Sequence, residues 1–169
     1  MAVLPPPSTI PAAIAGLPVV ELRAYRLAAD DGSVASARMA SPARQARLYG
    51  VVDNVESGRV RGDLLTNTLI RPEARRRHRE AIAALVQRDG LSGIVLDYQG
   101  VPDDLQPAYV QFVRDLAADL HARGADLVTT VRMPRRTGDG WDTGPISWPE
   151  LGAAADSLRT PWVRRPCAP

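Results

Sequence analysis

The sequence predicts an α/β fold built on a parallel sheet of about four to five strands. Three observations carry that expectation. Short apolar runs rich in β-branched residues alternate with stretches of helical periodicity. The connections between them are short, as in right-handed βαβ units. A hydrophobic content of 45% over 169 residues is enough for one domain with its own core.

Residues 1–17 form a proline-rich segment in which Pro5, Pro6, Pro7 and Pro11 interrupt the apolar residues. No basic residue precedes that stretch, so it does not read as a secretory signal, and the chain as it stands is expected to be cytoplasmic. Val19–Leu27 (VVELRAYRL) combines β-branched and aromatic residues with polar alternation, and the Asp30-Asp31-Gly32 turn follows. Residues 41–47 suit one or two helical turns, and residues 48–53 (LYGVVD) suit a short buried strand. A short helix is expected over 63–69. A longer one over 72–88 has Pro72 in its first turn and Gly90 as its stop.

Gly93–Asp97 (GIVLD) is the most apolar strand candidate. The helix after it carries one apolar stripe of Leu105, Tyr109, Phe112, Val113, Leu116 and Leu120, closed by Gly124. Residues 127–131 (LVTTV) read as a further strand and 134–145 as a polar loop. Ser147 with Glu150 forms a capping box for a last helix through Ala155. The proline- and arginine-rich residues 159–169 read as a frayed tail, which leaves 18–158 as the folded domain.

By periodicity alone, a doubly wound sheet and a piece of a (β/α)₈ barrel fit equally well. Neither G-x-G-x-x-G nor G-x-x-x-x-G-K-[ST] occurs, so the phosphate loop of a nucleotide fold is missing. All 21 basic residues are arginine, as a GC-rich coding bias would give, and the net charge is only +2. Acidic residues share the same segments and no binding motif accompanies the arginines, so no nucleic-acid partner is expected. Cys167 stands alone, which excludes a disulfide framework and a thiolate metal cluster. His78 and His121 fall in predicted helices without spaced partners and read as helix-surface or boundary residues, so no metal or cofactor is expected. No run approaches the roughly 18 apolar residues that span a bilayer, so no membrane association is expected.

The chemistry is expected in residues 91–101 (LSGIVLDYQGV). Strand alternation puts Val95, Asp97 and Gln99 on one side, with Asp97 and Gln99 at the C-terminal end of a buried strand. That end is where barrels and open α/β enzymes place catalytic groups, although Asp97 could equally cap the following turn. Asp53, at the end of the preceding predicted strand, is a candidate substrate-binding carboxylate or a turn cap.

This stretch resembles the D-x-x-D-x-D-x-E signature that ends the fourth barrel strand of family 18 glycoside hydrolases, the chitinase and spore-cortex-lytic type. The likeness continues through the helix that starts beyond Pro102, the strand at 127–134, and WPELGAAAD at 148–156. Backwards it takes in PEARRRHREAIAALVQRDG, and in all it covers about 48–156. It favours a partial (β/α)₈ TIM barrel, with strand 93–97 as the fourth and the first and last three absent. In the family, the final glutamate protonates the glycosidic oxygen. The aspartate two residues before it orients the substrate's acetamido group, which itself attacks the anomeric carbon.

Asp97 matches that aspartate. Gln99 stands at the glutamate, and Ser92 and Val95 replace the first two aspartates. A glutamine amide can hydrogen-bond a sugar but carries no acidic proton. The resemblance therefore implies a domain that acts on or recognises N-acetylglucosamine-containing polysaccharide, chitin or peptidoglycan, with impaired catalysis. The alternatives are a non-catalytic interaction remnant of a truncated hydrolase, and an active glycosidase using Asp97 with Asp53. Members of the family are typically extracytoplasmic. The open barrel edges imply self-association or a partner chain that covers them.

Overall fold

The computed structural model describes residues 2–4, 17–37 and 46–161. Its strands are β1 (Ala2–Leu4), β2 (Val19–Leu27), β3 (Val34–Ser36), β4 (Arg47–Asp53), β5 (Val55–Glu56), β6 (Arg59–Val60), β7 (Gly93–Asp97), β8 (Asp126–Thr130), β9 (Arg135–Thr137), β10 (Gly140–Asp142) and β11 (Ser157–Arg159). Its helices are α1 (Gly62–Ile70), α2 (Pro72–Asp89), α3 (Gln106–His121) and α4 (Trp148–Ala154).

Six strands pair in parallel in the order β1-β2-β4-β7-β8-β11. Because each neighbour is simply the next parallel strand along the chain, the order never reverses. A doubly wound sheet reverses at its switch point, so the arrangement is that of a barrel wall. The helices cover one face. Val20, Leu22, Ile94, Leu96 and Leu127 from the sheet pack there with Leu65, Ile82, Tyr109, Leu116 and Leu151 from the helices. The opposite face forms a smaller cluster of Tyr49, Val51 and Val95, flanked by Val19 and Val128, as in a barrel lumen.

One ion pair measures how far the wall curls. Glu21 of β2 accepts from the Arg159 guanidinium of β11, although β2 and β11 lie four strands apart in the sheet. In a flat sheet that separation is about 19 Å at the usual inter-strand spacing, beyond the reach of the two side chains. The sheet therefore bends until its second and sixth parallel strands face each other across the lumen.

Local chemistry explains most boundaries. Pro72 opens α2, and Gly90, at φ 65°, closes it with its N–H donating to the Val86 carbonyl. Ser147 caps α4 by accepting from the Glu150 N–H, as the capping box predicts. Gly93 has no alternative in its strand. A Cβ there would sit 2.4 Å from Tyr49 Cε1 and 2.9 Å from the Asp126 carbonyl oxygen.

Several expectations are corrected. The first strand is present, since Ala2–Leu4 pairs with β2. The sixth is also present, since Ser157–Arg159 pairs with β8 where the tail and missing strands were expected. Both are three residues long, too short to display a period. Within 134–145 the chain forms the β9–β10 hairpin, and β5–β6 makes another just after β4. Of the helical turns expected over 41–47, residues 41–45 lie outside the described residues, and Arg47 begins a strand. His78 is not a surface or boundary residue. It is fully buried, because the Gly32 carbonyl, the Tyr98 hydroxyl and the Phe112 ring close around it.

Candidate active-site cavity

The parallel register sets the site. Asp53 ends β4 directly opposite Asp97 at the end of β7, and Arg26 of β2 lies opposite Asp53. From β2, Arg23 reaches across both: one Nη donates to Asp97 Oδ2, and the other lies 3.4 Å from Asp53 Oδ2. Asp97 is buried, at 6% exposure. A carboxylate in that position is tolerable only with a partner, and the guanidinium supplies one. Asp53 also accepts from the Val55 N–H at 3.1 Å, so it caps its turn as well as pairing. Burial raises its pKa, an effect that the Val55 N–H and Arg23 partly offset.

Asp97 and Gln99 line one cavity of about 660 Å³, with Arg23, Thr130, Trp148 and an apolar wall that includes Val131 and Ile146. That volume is within the range of small-molecule sites. Asp53 does not line it. It borders a separate depression on the other side of Arg23, together with Arg26 and Val55. The structure thus brings Asp97 and Gln99 to one cavity and leaves Asp53, although it is Asp97's neighbour across the strands, outside that cavity's lining. Trp148 has a buried indole N–H with no protein partner among the described residues.

Gln99 lies beyond the end of β7, and its residue is exposed. Its backbone is held by Asn54, which sequence reasoning passed over. The Gln99 N–H donates to Asn54 Oδ1 at 2.9 Å, and Asn54 Nδ2 donates to the Gln99 carbonyl at 2.9 Å. Asn54 itself is 1% exposed. The side-chain amide therefore imitates a strand edge and fixes the backbone of Gln99. The clue was an asparagine, one of only two in the chain, immediately after a buried strand.

Between Asp97 and Gln99, Tyr98 points its hydroxyl at His78 Nε2. His78 Nδ1 lies 2.8 Å from the Gly32 carbonyl, which can only accept, so Nδ1 carries the proton and Nε2 accepts from Tyr98. The imidazole also stacks on Phe112, with centroids 5.7 Å apart. Burial lowers the His78 pKa to about 4, which keeps the ring neutral. Burial raises that of Tyr98 well above its ordinary value. This chain ties the cavity floor to α2 and to the β2–β3 turn. Among the described residues no group of His, Cys, Asp and Glu could hold a metal ion. No helix among them is long and apolar enough to cross a membrane.

No family model matches the sequence, and no curated protein matches it. Solved structures do. A chitinase from Chromobacterium violaceum superposes with a TM-score of 0.75 at 21% identity, covering 95% of this chain and 55% of that one. The spore cortex-lytic enzyme SleL of Bacillus megaterium superposes with a TM-score of 0.76 at 12% identity, covering 94% and 40%. A mutant GH18 chitinase from Cycas revoluta, in complex with (GlcNAc)4, gives 0.66 at 16% identity, covering 94% and 54%. The chain spans about half the length of these structures. Sequential parallel strands, helices on one face and these superpositions together identify a family 18 glycoside hydrolase-like fold, present as a partial barrel.

Proposed function

We propose that this chain recognises an N-acetylglucosamine-containing glycan in the Asp97–Gln99 cavity and does not cleave it efficiently. One observation carries the reading. At the C-terminal end of the fourth barrel strand, the cavity offers hydrogen-bonding groups from Gln99 and Thr130, while its one carboxylate, Asp97, is already paired with Arg23. Cleavage needs a proton donor and a carboxylate free to steady developing positive charge. The amide of Gln99 has no acidic proton, and losing a general acid removes about 10²- to 10⁴-fold in rate. Asp97, held by a guanidinium, has little negative charge left to offer. Binding makes neither demand. In support, the Cycas revoluta chitinase that carries (GlcNAc)4 does so with glutamine in place of one glutamate.

Isothermal titration calorimetry with chitooligosaccharides tests the reading, alongside hydrolysis of a chromogenic N-acetylglucosaminide. The expected outcome is saturable binding without turnover, with binding lost in Asp97→Ala once circular dichroism has established that the variant is folded. Turnover by the wild type but not by Asp97→Ala would refute it in favour of an active glycosidase using Asp97 with Asp53. The position of Arg23 between those two carboxylates weighs against that alternative.

A second reading rests on the sheet edges. Among the described residues, β1 and β11 each pair on one side only, and a full barrel has eight strands. Unpaired edges favour association with another chain, so a non-catalytic interaction domain would show concentration-dependent assembly in sedimentation and no glycan binding.

A further inference from the structure

We infer that the β9–β10 hairpin carries a second glycan-binding face, formed by Trp141 and Arg136, that takes a carboxylate-bearing amino-sugar strand extending out of the cavity. This rests on the cavity's proposed role in glycan recognition.

The hairpin leaves the barrel at the cavity rim. Met133, two residues before it, and Thr143, one residue after it, both line the cavity. Its foot is fixed. Asp142 accepts from the cavity-lining Arg132 at 2.5 Å and from the Gly144 N–H at 2.8 Å, and these contacts hold its carboxyl below the usual range. Register then separates the two faces. Asp142 lies opposite Arg135, and Trp141 lies opposite Arg136. Side chains alternate along a strand, so the anchoring contacts use one face, and Trp141 with Arg136 occupy the other.

That second face is uncovered. Trp141 is 68% exposed, the most exposed large hydrophobic side chain among the described residues. Arg136 is exposed and has no ion pair among them, unlike Arg132, Arg61 and Arg23. An indole held open to water on an anchored hairpin has lost burial that a core position would have supplied. A pyranose ring presents an apolar C–H face that fits the indole's electron-rich face. A guanidinium directly across the strand pair is placed for a carboxylate on the same sugar or its neighbour. A neutral chitin strand would use the tryptophan alone. A strand bearing lactyl or peptide carboxylates would use both.

Calorimetric titration of the full chain tests this with three ligands: a chitin dimer short enough to sit in the cavity, a chitin hexamer, and a peptidoglycan oligosaccharide with free carboxylates. Trp141→Ala is expected to weaken the two longer ligands about fivefold and leave the dimer unchanged. Arg136→Gln is expected to weaken only the carboxylate-bearing strand, about threefold at low salt, with the difference closing at high salt. Unchanged affinity for both longer ligands in Trp141→Ala overturns the inference, as does an equal loss for the dimer. So does Trp141-dependent binding to anionic phospholipid vesicles with glycan affinity intact, which would make the hairpin a membrane face. Dimer binding that survives in Asp97→Ala would instead sink the proposed role of the cavity, leaving the dependence of the longer strands on Trp141 to be read separately.

Discussion

Acidification from pH 7 to pH 4 should destabilise the protein through His78, and the size of the effect follows from its burial. In the folded chain the ring is fully buried and neutral, with a pKa of about 4; unfolded, it takes up a proton near its ordinary 6.5. Between those values the unfolded state binds more protons, so stability falls as pH falls. The loss begins near 6.5 and levels off below about 4. The gap corresponds to about 3 kcal/mol in full, and to about 2 kcal/mol by pH 5. Against a typical total of about 5–15 kcal/mol, that is easily measured. Other groups overlap this window little. The carboxyls held below their ordinary value, such as Asp63 and Asp89, give up their stabilisation only at lower pH. Asp53, whose pKa burial raises, contributes with the opposite sign, because its stabilisation is present at low pH and lost as pH rises. Urea unfolding followed by circular dichroism at pH 7, 6, 5 and 4.5, in wild type and His78→Gln, isolates the effect. The variant should start lower at pH 7, because it loses ring stacking and part of the Gly32–Tyr98 bridge, and should then fall less steeply. Parallel curves for the two proteins would refute a neutral, buried His78.

Three other outcomes follow from the site and its supports. Asn54→Ala leaves the Gln99 backbone without its two side-chain partners and should cost about 1–3 kcal/mol in urea unfolding while weakening glycan binding in calorimetry. Gln99→Glu restores a proton donor but leaves Asp97 tied to Arg23, so its rate on a chromogenic N-acetylglucosaminide should lie below that of Gln99→Glu/Arg23→Ser; equal rates would show that the guanidinium does not limit the site. Gly93→Ala should destabilise by about 1–3 kcal/mol, and Tyr49→Val should recover only part of that, since the Asp126 carbonyl remains in the way.

Long elements were readable in the sequence because they repeat a pattern often enough to show it. Val19–Leu27 and Gly93–Asp97 match their predicted spans, and α3 buries Tyr109, Phe112, Val113, Leu116 and Leu120 on one stripe. β1 and β11 were not readable, because three residues carry no period and the curl of the sheet is what gives Arg159 its partner. The positions of Asp97 at the end of β7 and of Gln99 just beyond it were legible from the apolar run before them. Arg23 carried a signal that went unused: in VVELRAYRL, Val19, Glu21 and Arg23 fall on one face of a strand whose other face is apolar. Charged residues on the inner face of a buried strand announce a polar lumen. His78 was misread because a histidine in a helix gives no sign of its burial until the Gly32 carbonyl and the Tyr98 hydroxyl are placed around it.

The polar lumen also bears on how a barrel with six parallel strands holds its curvature. In a closed barrel, hydrogen bonding around the full circle fixes the curl. Here the sheet ends at β1 and β11 among the described residues, and a backbone ladder does not fix the angle between its ends. The Glu21–Arg159 pair spans β2 to β11, while Arg23 spans β2 to β4 and β7. Each carboxylate is buried or nearly so, and removing one partner of such a pair strands the other charge. These pairs therefore oppose flattening of the sheet more strongly than apolar contacts would, since an apolar contact that opens meets no unpaired charge. The same pairing sets lumen chemistry. Glu21, Asp53 and Asp97 face the guanidiniums of Arg23 and Arg159, so on the proposed reading the negative charge that a glycosidase keeps free for its cationic transition state serves the shape of the sheet. On the proposed reading, loss of the acid at position 99 and the arrangement of Arg23 and Arg159 are two sides of one change, in which the lumen's carboxylates hold the fold and the cavity above them is left to bind.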